Sequence, residues 1–174
     1  MAKILLTSGP TRQYLDPVRY LTNASSGRMG AALAECALAL GHDVTIVSGP
    51  VEVEYPKAAR VVPVITTQEM LAAATAEFAT ADGLIGATKK PHQWCVGFAL
   101  ETADARFRAI VKMQKKSCDL MVVNGPDAMN SLENRVEMLD RSGEVLSQCD
   151  GPKAAVAQHI MQTIERLLIR KTNT

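Results

Sequence analysis

The sequence holds no Cys-x-x-Cys pair, no apolar run near the length of a membrane span, and almost no excess of either charge. Cys36, Cys95, Cys118 and Cys149 are widely spaced, and the first three lie in apolar runs, which points to buried free thiols rather than a metal site or a disulfide frame. A net charge of +1 provides no basic surface for nucleic acid, so any phosphate has to be held locally. His42, His92 and His159 stand apart from one another and from clustered carboxylates. That arrangement argues against zinc and against a nucleophile–base pair, and no metal ligands are assigned. The opening Met-Ala-Lys-Ile-Leu-Leu reads as a strand rather than a secretory signal, so a cytoplasmic protein that binds no membrane is expected.

What the chain does have is a length of 174 residues, of which 47% are hydrophobic, enough for one domain with a sizeable core. The apolar pattern predicts strands at 3–7, 43–48, 60–65, 83–86, 95–99 and 120–124. Helices are predicted at 26–40, 67–80, 104–116 and 152–169, with Thr66 or Thr67 capping the second. Strands alternating with helices of this length predict an α/β, Rossmann-like three-layer fold with a mainly parallel sheet and ligands at its C-terminal strand ends. Val136–Leu139 and Glu144–Leu146 flank Asp140-Arg141-Ser142-Gly143, which reads as a C-terminal β-hairpin. Residues up to Asn23 after the first strand read as a loop.

The stretch Thr22-Asn23-Ala24-Ser25-Ser26-Gly27-Arg28-Met29-Gly30 runs from a polar turn into the first helix. Met29, Leu33, Cys36, Ala37 and Leu40 would form its apolar face, and Gly41 ends it. Ser25 or Ser26 could cap the first turn, and Gly27 would let an anion approach the backbone amides of the positive helix end. The same residues would also serve a capped surface helix that binds nothing.

One junction breaks the pattern. Only Thr88-Lys89-Lys90-Pro91-His92-Gln93 separate Ala87 from Trp94, whereas neighbouring parallel strands normally need a crossover of about a dozen residues or more. Either those two strands are antiparallel or a segment has been shortened.

Thr7-Ser8-Gly9-Pro10-Thr11, Leu15-Asp16-Pro17-Val18-Arg19, the Leu21–Gly30 run and Gly97-Phe98-Ala99-Leu100-Glu101-Thr102 closely resemble phosphopantothenoylcysteine synthetases, the ligase domain of coenzyme A biosynthesis. The resemblance covers nearly the whole chain in motif order. It implies that the carboxylate of 4'-phosphopantothenate attacks CTP, releasing pyrophosphate. The amine of L-cysteine then attacks the acyl cytidylate and releases CMP, with Mg2+ accompanying the triphosphate. A methionine opens the chain with no decarboxylase region ahead of it, so no flavin is expected.

By the same resemblance, Asn23 is the catalytic residue, its amide steadying the oxygen that gains charge as the amine attacks. Arg19, Asn23, Ala24, Ser25, Ser26 and Gly27 would bind the acyl substrate. Gly9, Ser26, Gly27, Phe98, Lys112 and Lys116 would bind the nucleotide. Asn23 could equally turn the chain, Arg19 could be an ordinary surface arginine, and Lys112 with Lys116 could be a solvated helix end with Lys115. A homodimer is implied, paired through residues 136–146 or through the absent segment.

The departure falls at the suspicious junction. The family carries there an Ala-Ala-x-x-Asp-(Tyr/Trp) motif, a Lys-x-x-Lys loop and a Pro-Asp turn, and none of them is in this sequence. A non-catalytic or weakened nucleotide-binding form is therefore the alternative to an active ligase. A dinucleotide oxidoreductase is disfavoured, because Gly-x-Gly-x-x-Gly is missing after the first strand and the second ends in Ser48-Gly49-Pro50 with no acidic residue for a ribose.

Overall fold

A computed structural model of the chain describes residues 1–86, 93–100, 105–124 and 133–170. Its elements run β1 Lys3–Ser8, β2 Gln13–Tyr14, β3 Tyr20–Leu21, α1 Arg28–Ala39, β4 Asp43–Ser48, β5 Arg60–Pro63, α2 Thr67–Phe78, β6 Gly83–Ile85, β7 Trp94–Leu100, α3 Ala105–Lys116, β8 Leu120–Asn124, β9 Glu133–Leu139, β10 Val145–Pro152 and α4 Lys153–Ile164. A π-helical turn, Glu165–Ile169, continues α4.

Eight strands form one sheet in the order β10-β9-β8-β7-β6-β1-β4-β5. The pairs from β5 across to β8 are parallel, and β9 and β10 close that edge antiparallel. The chain moves outward from β1 to β4 and β5, then returns to lay β6 on the other side of β1. This reversal opens a crevice above the C-terminal ends of β1 and β6.

Alternation along the strands sends side chains to two helical layers. Ile4, Leu6, Val44, Ile46, Ile85, Val96, Val122 and Met138 face α1 and α4, where Leu33, Ala34, Ala37, Val156, Ile160 and Ile164 complete the largest core. On the other face Leu5, Val47 and Leu84 meet Phe78 of α2, while Cys95, Ala99, Met121 and Val123 meet Ala109 and Met113 of α3. The expected three-layer fold is the one observed.

Local chemistry accounts for several boundaries. Thr66 Oγ1 accepts from the Glu69 amide while the Glu69 carboxylate accepts from the Thr66 amide, a reciprocal cap for α2. Asp140 Oδ1 gathers the amides of Ser142 and Glu144 and closes the β9–β10 turn. None of the four cysteines forms a disulfide; Cys95 and Cys118 are buried with their Sγ atoms 3.5 Å apart, and Cys36 and Cys149 are only half-buried.

Three sequence expectations need correction. Residues 13–21 are not a loop: β2 and β3 pair antiparallel, with Asp16 Oδ1 accepting from the amides of Val18 and Arg19 and the rings of Tyr14 and Tyr20 packed edge to face at 5.5 Å. The buried face of α1 is Ala31, Leu33, Ala34 and Ala37; Met29 and Cys36 are half-buried at its margin and Leu40 is 45% exposed. The final hairpin is longer than expected, since β9 starts at Glu133 and β10 runs to Pro152.

The uncertain junction is resolved in direction. β6 and β7 are parallel, with Gly83 opposite Trp94 and Ile85 opposite Val96, although only residues 86–93 join them. Ala87 to His92, Glu101, Thr102 and Asp104 lie outside the described residues.

Candidate active site

Where β1 and β6 diverge, a crevice of about 490 Å3 opens at the C-terminal end of the sheet. Its floor comes from Leu6–Gly9 of β1 and Ile85–Gly86 of β6. One wall is the Asn23–Gly30 run, and the other is Phe98, Leu100, Asn124, Asn134 and Lys153. Strand ends, where side chains leave the sheet and backbone groups lose ladder partners, supply the floor and much of the second wall.

The Asn23–Gly30 wall is shaped by its own backbone. Asn23 Oδ1 accepts the Ser25 amide at 3.0 Å, a local turn that carries the exposed loop toward the helix. Gly27 is the N-cap of α1, with φ +75°, a conformation open to glycine and strained for other residues. The expected serine cap is not formed: among the described residues no side chain caps α1, because Gly27 rather than Ser25 or Ser26 occupies the N-cap. The first-turn amides of Arg28, Met29 and Gly30 therefore face the crevice without a side-chain acceptor, at the positive end of the helix. Gly30 lets α1 lie against β1, since a Cβ there would fall 2.1 Å from Ser8 Oγ.

Electrostatically the described lining is one-sided. Arg28 and Lys153 contribute positive charge, two helix N-termini point in, and no aspartate or glutamate takes part. Lys153, at the start of α4, has its pKa lowered, first by burial and then by the charge of Arg28. A bound anion would relieve both effects. Such a surface is suited to a phosphorylated ligand with an apolar portion against Leu6, Leu33, Ile85 and Phe98.

The structure brings together Gly9, Asn23, Ala24, Ser25, Ser26, Gly27 and Phe98 of the residues expected at the site. It does not bring Arg19, Lys112 or Lys116 to the crevice. Arg19 sits on the β2–β3 hairpin with Nε donating to Asp16 Oδ2 at 2.6 Å, a contact that holds the Asp16 carboxyl below its ordinary value. Lys112 and Lys116 lie on α3, which packs on the opposite face of the sheet and descends toward its N-terminal edge before β8 begins. Residues that sequence reasoning missed are Arg28, Asn124, Asn134 and Lys153. For Asn134 a signal existed, since it shares the inward register of Val136 and Met138, where an amide is out of place unless it has a partner.

Comparison with known proteins agrees with this fold. The sequence pattern of the DNA/pantothenate metabolism flavoprotein C-terminal domain matches residues 1–89 and 83–168, two pieces that meet at the short β6–β7 connection. The coenzyme A biosynthesis bifunctional protein CoaBC of Vibrio vulnificus is 31% identical over 210 residues, covering 95% of this chain and 52% of that protein. A cysteine/cysteine sulfinic acid decarboxylase from an unknown prokaryotic organism is 33% identical over 210 residues, covering 95% of this chain and 58% of that protein. The chain thus spans about half the length of the curated relatives it matches. The crystal structure of the C-terminal domain of a CoaBC protein superposes with a TM-score of 0.83 at 33% identity, covering 97% of this chain and 96% of that one.

Proposed function

The chain belongs to the family of DNA/pantothenate metabolism flavoprotein C-terminal domains, and on that premise we propose that it joins 4'-phosphopantothenate to L-cysteine through an acyl cytidylate, with CTP as the activating nucleotide. The observation that carries this reading is the convergence of Gly9, the Asn23–Gly27 turn and Phe98 on one electropositive crevice beneath an α1 terminus with no side-chain cap.

The chemistry follows from what the crevice offers. A carboxylate accepts no amine until one oxygen becomes part of a leaving group, so the site has to hold two anionic substrates within reach of each other. The open amides of α1 and the Arg28 and Lys153 charges suit the phosphates. Asn23 stands at the mouth, where its carboxamide can donate to the oxygen that gains charge when the cysteine amine attacks. Arg19, Lys112 and Lys116 keep their proposed roles only if the chain or a second copy brings them closer than here.

Magnesium finds no carboxylate in the described lining, and no group of acidic, histidine or cysteine residues among the described residues could cage it. It would travel with the CTP phosphates, and no step is assigned to it. A homodimer belongs to the same proposal. Its support is the exposed apolar arm of Leu15, Val18 and Leu21 on the β2–β3 hairpin, rather than residues 136–146. No helix among the described residues is long and apolar enough to cross a membrane. We place the reaction in the cytoplasm, where CTP and reduced cysteine are available.

A weakened form of this activity is the second reading, favoured by the junction. Parallel neighbours β6 and β7 are joined by residues 86–93 alone, and the family pattern matches in two pieces that meet there. The 210-residue alignments, to which this chain contributes 95% of its 174 residues, likewise support a segment missing from the single 1–174 domain after Ala87.

Incubation with CTP, 4'-phosphopantothenate and cysteine, followed by pyrophosphate release and product mass, tests both readings. CTP binding with slow product formation, accelerated when the connection is lengthened to that of the relatives, is expected. A chain that binds neither CTP nor phosphopantothenate sinks the ligase, and relatives' turnover without lengthening sinks the weakened form.

A further inference from the structure

Across the crevice from the Asn23–Gly30 wall, Asn134 is 6% exposed and its Oδ1 has no hydrogen-bond partner among the described residues. A buried carboxamide oxygen without a donor is costly, and native proteins retain few of them unless something else supplies the bond. Its position is not accidental to the site. β8 ends at Asn124, opposite Val136, so β9 carries Asn134 past that end, over the same edge where the crevice lies. In the β9–β10 ladder Asn134 faces Gly151, and the chain then turns through Pro152 into Lys153, the first residue of α4. A buried acceptor and a cation thus stand side by side at a second helix N-terminus without a side-chain cap, facing Arg28 and the open end of α1.

We propose that Asn134 and Lys153 form the wall that receives the sugar-phosphate of the activating nucleotide, Lys153 facing a phosphate and Asn134 Oδ1 accepting a hydrogen bond from a ribose hydroxyl. This rests on the ligase reading and adds to it the residues that select the nucleotide. The ligand group beside Asn134 has to be a donor, which phosphate oxygens at neutral pH are not. It also sits beside the Lys153 cation, which favours an anion as its neighbour. A phosphate ester with a neighbouring hydroxyl meets both conditions. Ribose offers one, and the hydroxyl of phosphopantothenate is the competing source that the test separates. Burial and the neighbouring Arg28 charge weaken the hold of Lys153 on its proton, and a phosphate between the two cations reverses that.

Titration calorimetry on the intact chain, with CTP, 2',3'-dideoxy-CTP and 4'-phosphopantothenate, tests the assignment alongside ligand-free melting curves. The parent chain is expected to prefer CTP over the dideoxy analogue by roughly 3- to 10-fold, the contribution of one hydrogen bond. Asn134→Leu is expected to abolish that preference while its ligand-free Tm holds or rises, because an unsatisfied buried polar group has been removed. Asn134→Asp, nearly the same shape, sets a carboxylate beside the phosphate and is expected to weaken CTP about tenfold or more. Lys153→Met is expected to weaken CTP and dideoxy-CTP alike.

If Asn134→Leu keeps the preference, or if phosphopantothenate affinity falls in place of CTP affinity, the assignment is overturned and the ligase reading survives. A large fall in Tm together with uniform loss of every ligand makes Asn134 structural, which also overturns it. A parent chain that binds phosphopantothenate but no CTP removes the nucleotide, and with it both this wall and the CTP part of the proposed function.

Discussion

The imidazole of His42 bridges the two ends of the chain: its Nδ1 accepts the Ala2 amide at 3.2 Å, and its Nε2 lies 2.6 Å from Glu165 Oε2. Because Nδ1 is an acceptor, the ring proton sits on Nε2 and is donated to the carboxylate. His42 is 5% exposed, so both bonds replace water rather than compete with it. Glu165 opens the π-helical turn after α4, and the pair ties that turn to the start of β1.

His42→Ala is therefore expected to leave Glu165 and the Ala2 amide short of a partner and to cost about 1 to 3 kcal/mol. At roughly 2–4 °C per kcal/mol for a chain of this size, thermal unfolding would drop by several degrees. An unchanged Tm would count against a structural role for the pair.

Asn23→Ala acts on rate rather than on folding. The side chain is exposed and, among the described residues, bonds its own turn through Ser25. Ligation measured against the parent is expected to fall roughly 10²- to 10³-fold, as for removal of one oxyanion donor. Tm is expected to move by under a degree or two, and equal rates in the two chains would remove Asn23 from the chemistry.

Gly30→Ala tests the approach of α1 to β1. The new methyl would fall 2.1 Å from Ser8 Oγ, beneath the open amides of the helix. The helix has to lift, at about 1 to 3 kcal/mol for overpacking of this kind. Calorimetry should show CTP affinity lost in step with stability, whereas preserved affinity at lower Tm would place the anion elsewhere.

Acid titration separates a surface pair from the core. The Glu137 pKa is held below its ordinary 4.5, first by the hydrogen bonds from Arg106, at 2.9 and 3.0 Å. A carboxylate with a depressed folded pKa stabilises the protein fully above its unfolded value and loses that contribution as pH falls through the folded one. Glu137→Gln is expected to be less stable than the parent at pH 7 by about 0.2 to 1 kcal/mol, since the pair is partly exposed. The two melting curves should converge below pH 4, and a gap that persists in acid would assign the effect to packing.

How much of this was legible in the sequence depended on the range of the interaction. Period-two and period-3.6 patterns located every strand and helix of the large sheet, because each element buries a face of its own. The β2–β3 hairpin escaped because its strands are two residues long and are held by Asp16 and the Tyr14–Tyr20 contact rather than by alternation. Motif resemblance grouped Gly9, Asn23 to Gly27 and Phe98, and all of them line the one crevice. It did not foresee that Lys112 and Lys116 ride a helix on the far side of the sheet, which is a matter of topology and not of spacing. A strand expected to start at Val136 leaves out Asn134, two residues earlier, where β9 already sets an amide in an inward position.

The crevice between β1 and β6 draws its two sides from opposite halves of the polypeptide, Gly9 and Ser26 from one and Phe98 and Lys153 from the other. A small molecule lodged there touches both halves, so occupancy fastens them to each other. Protection from proteolysis by CTP would then spread over the entire fold instead of stopping at the binding turn, and the nucleotide would act as a clasp on the assembled sheet.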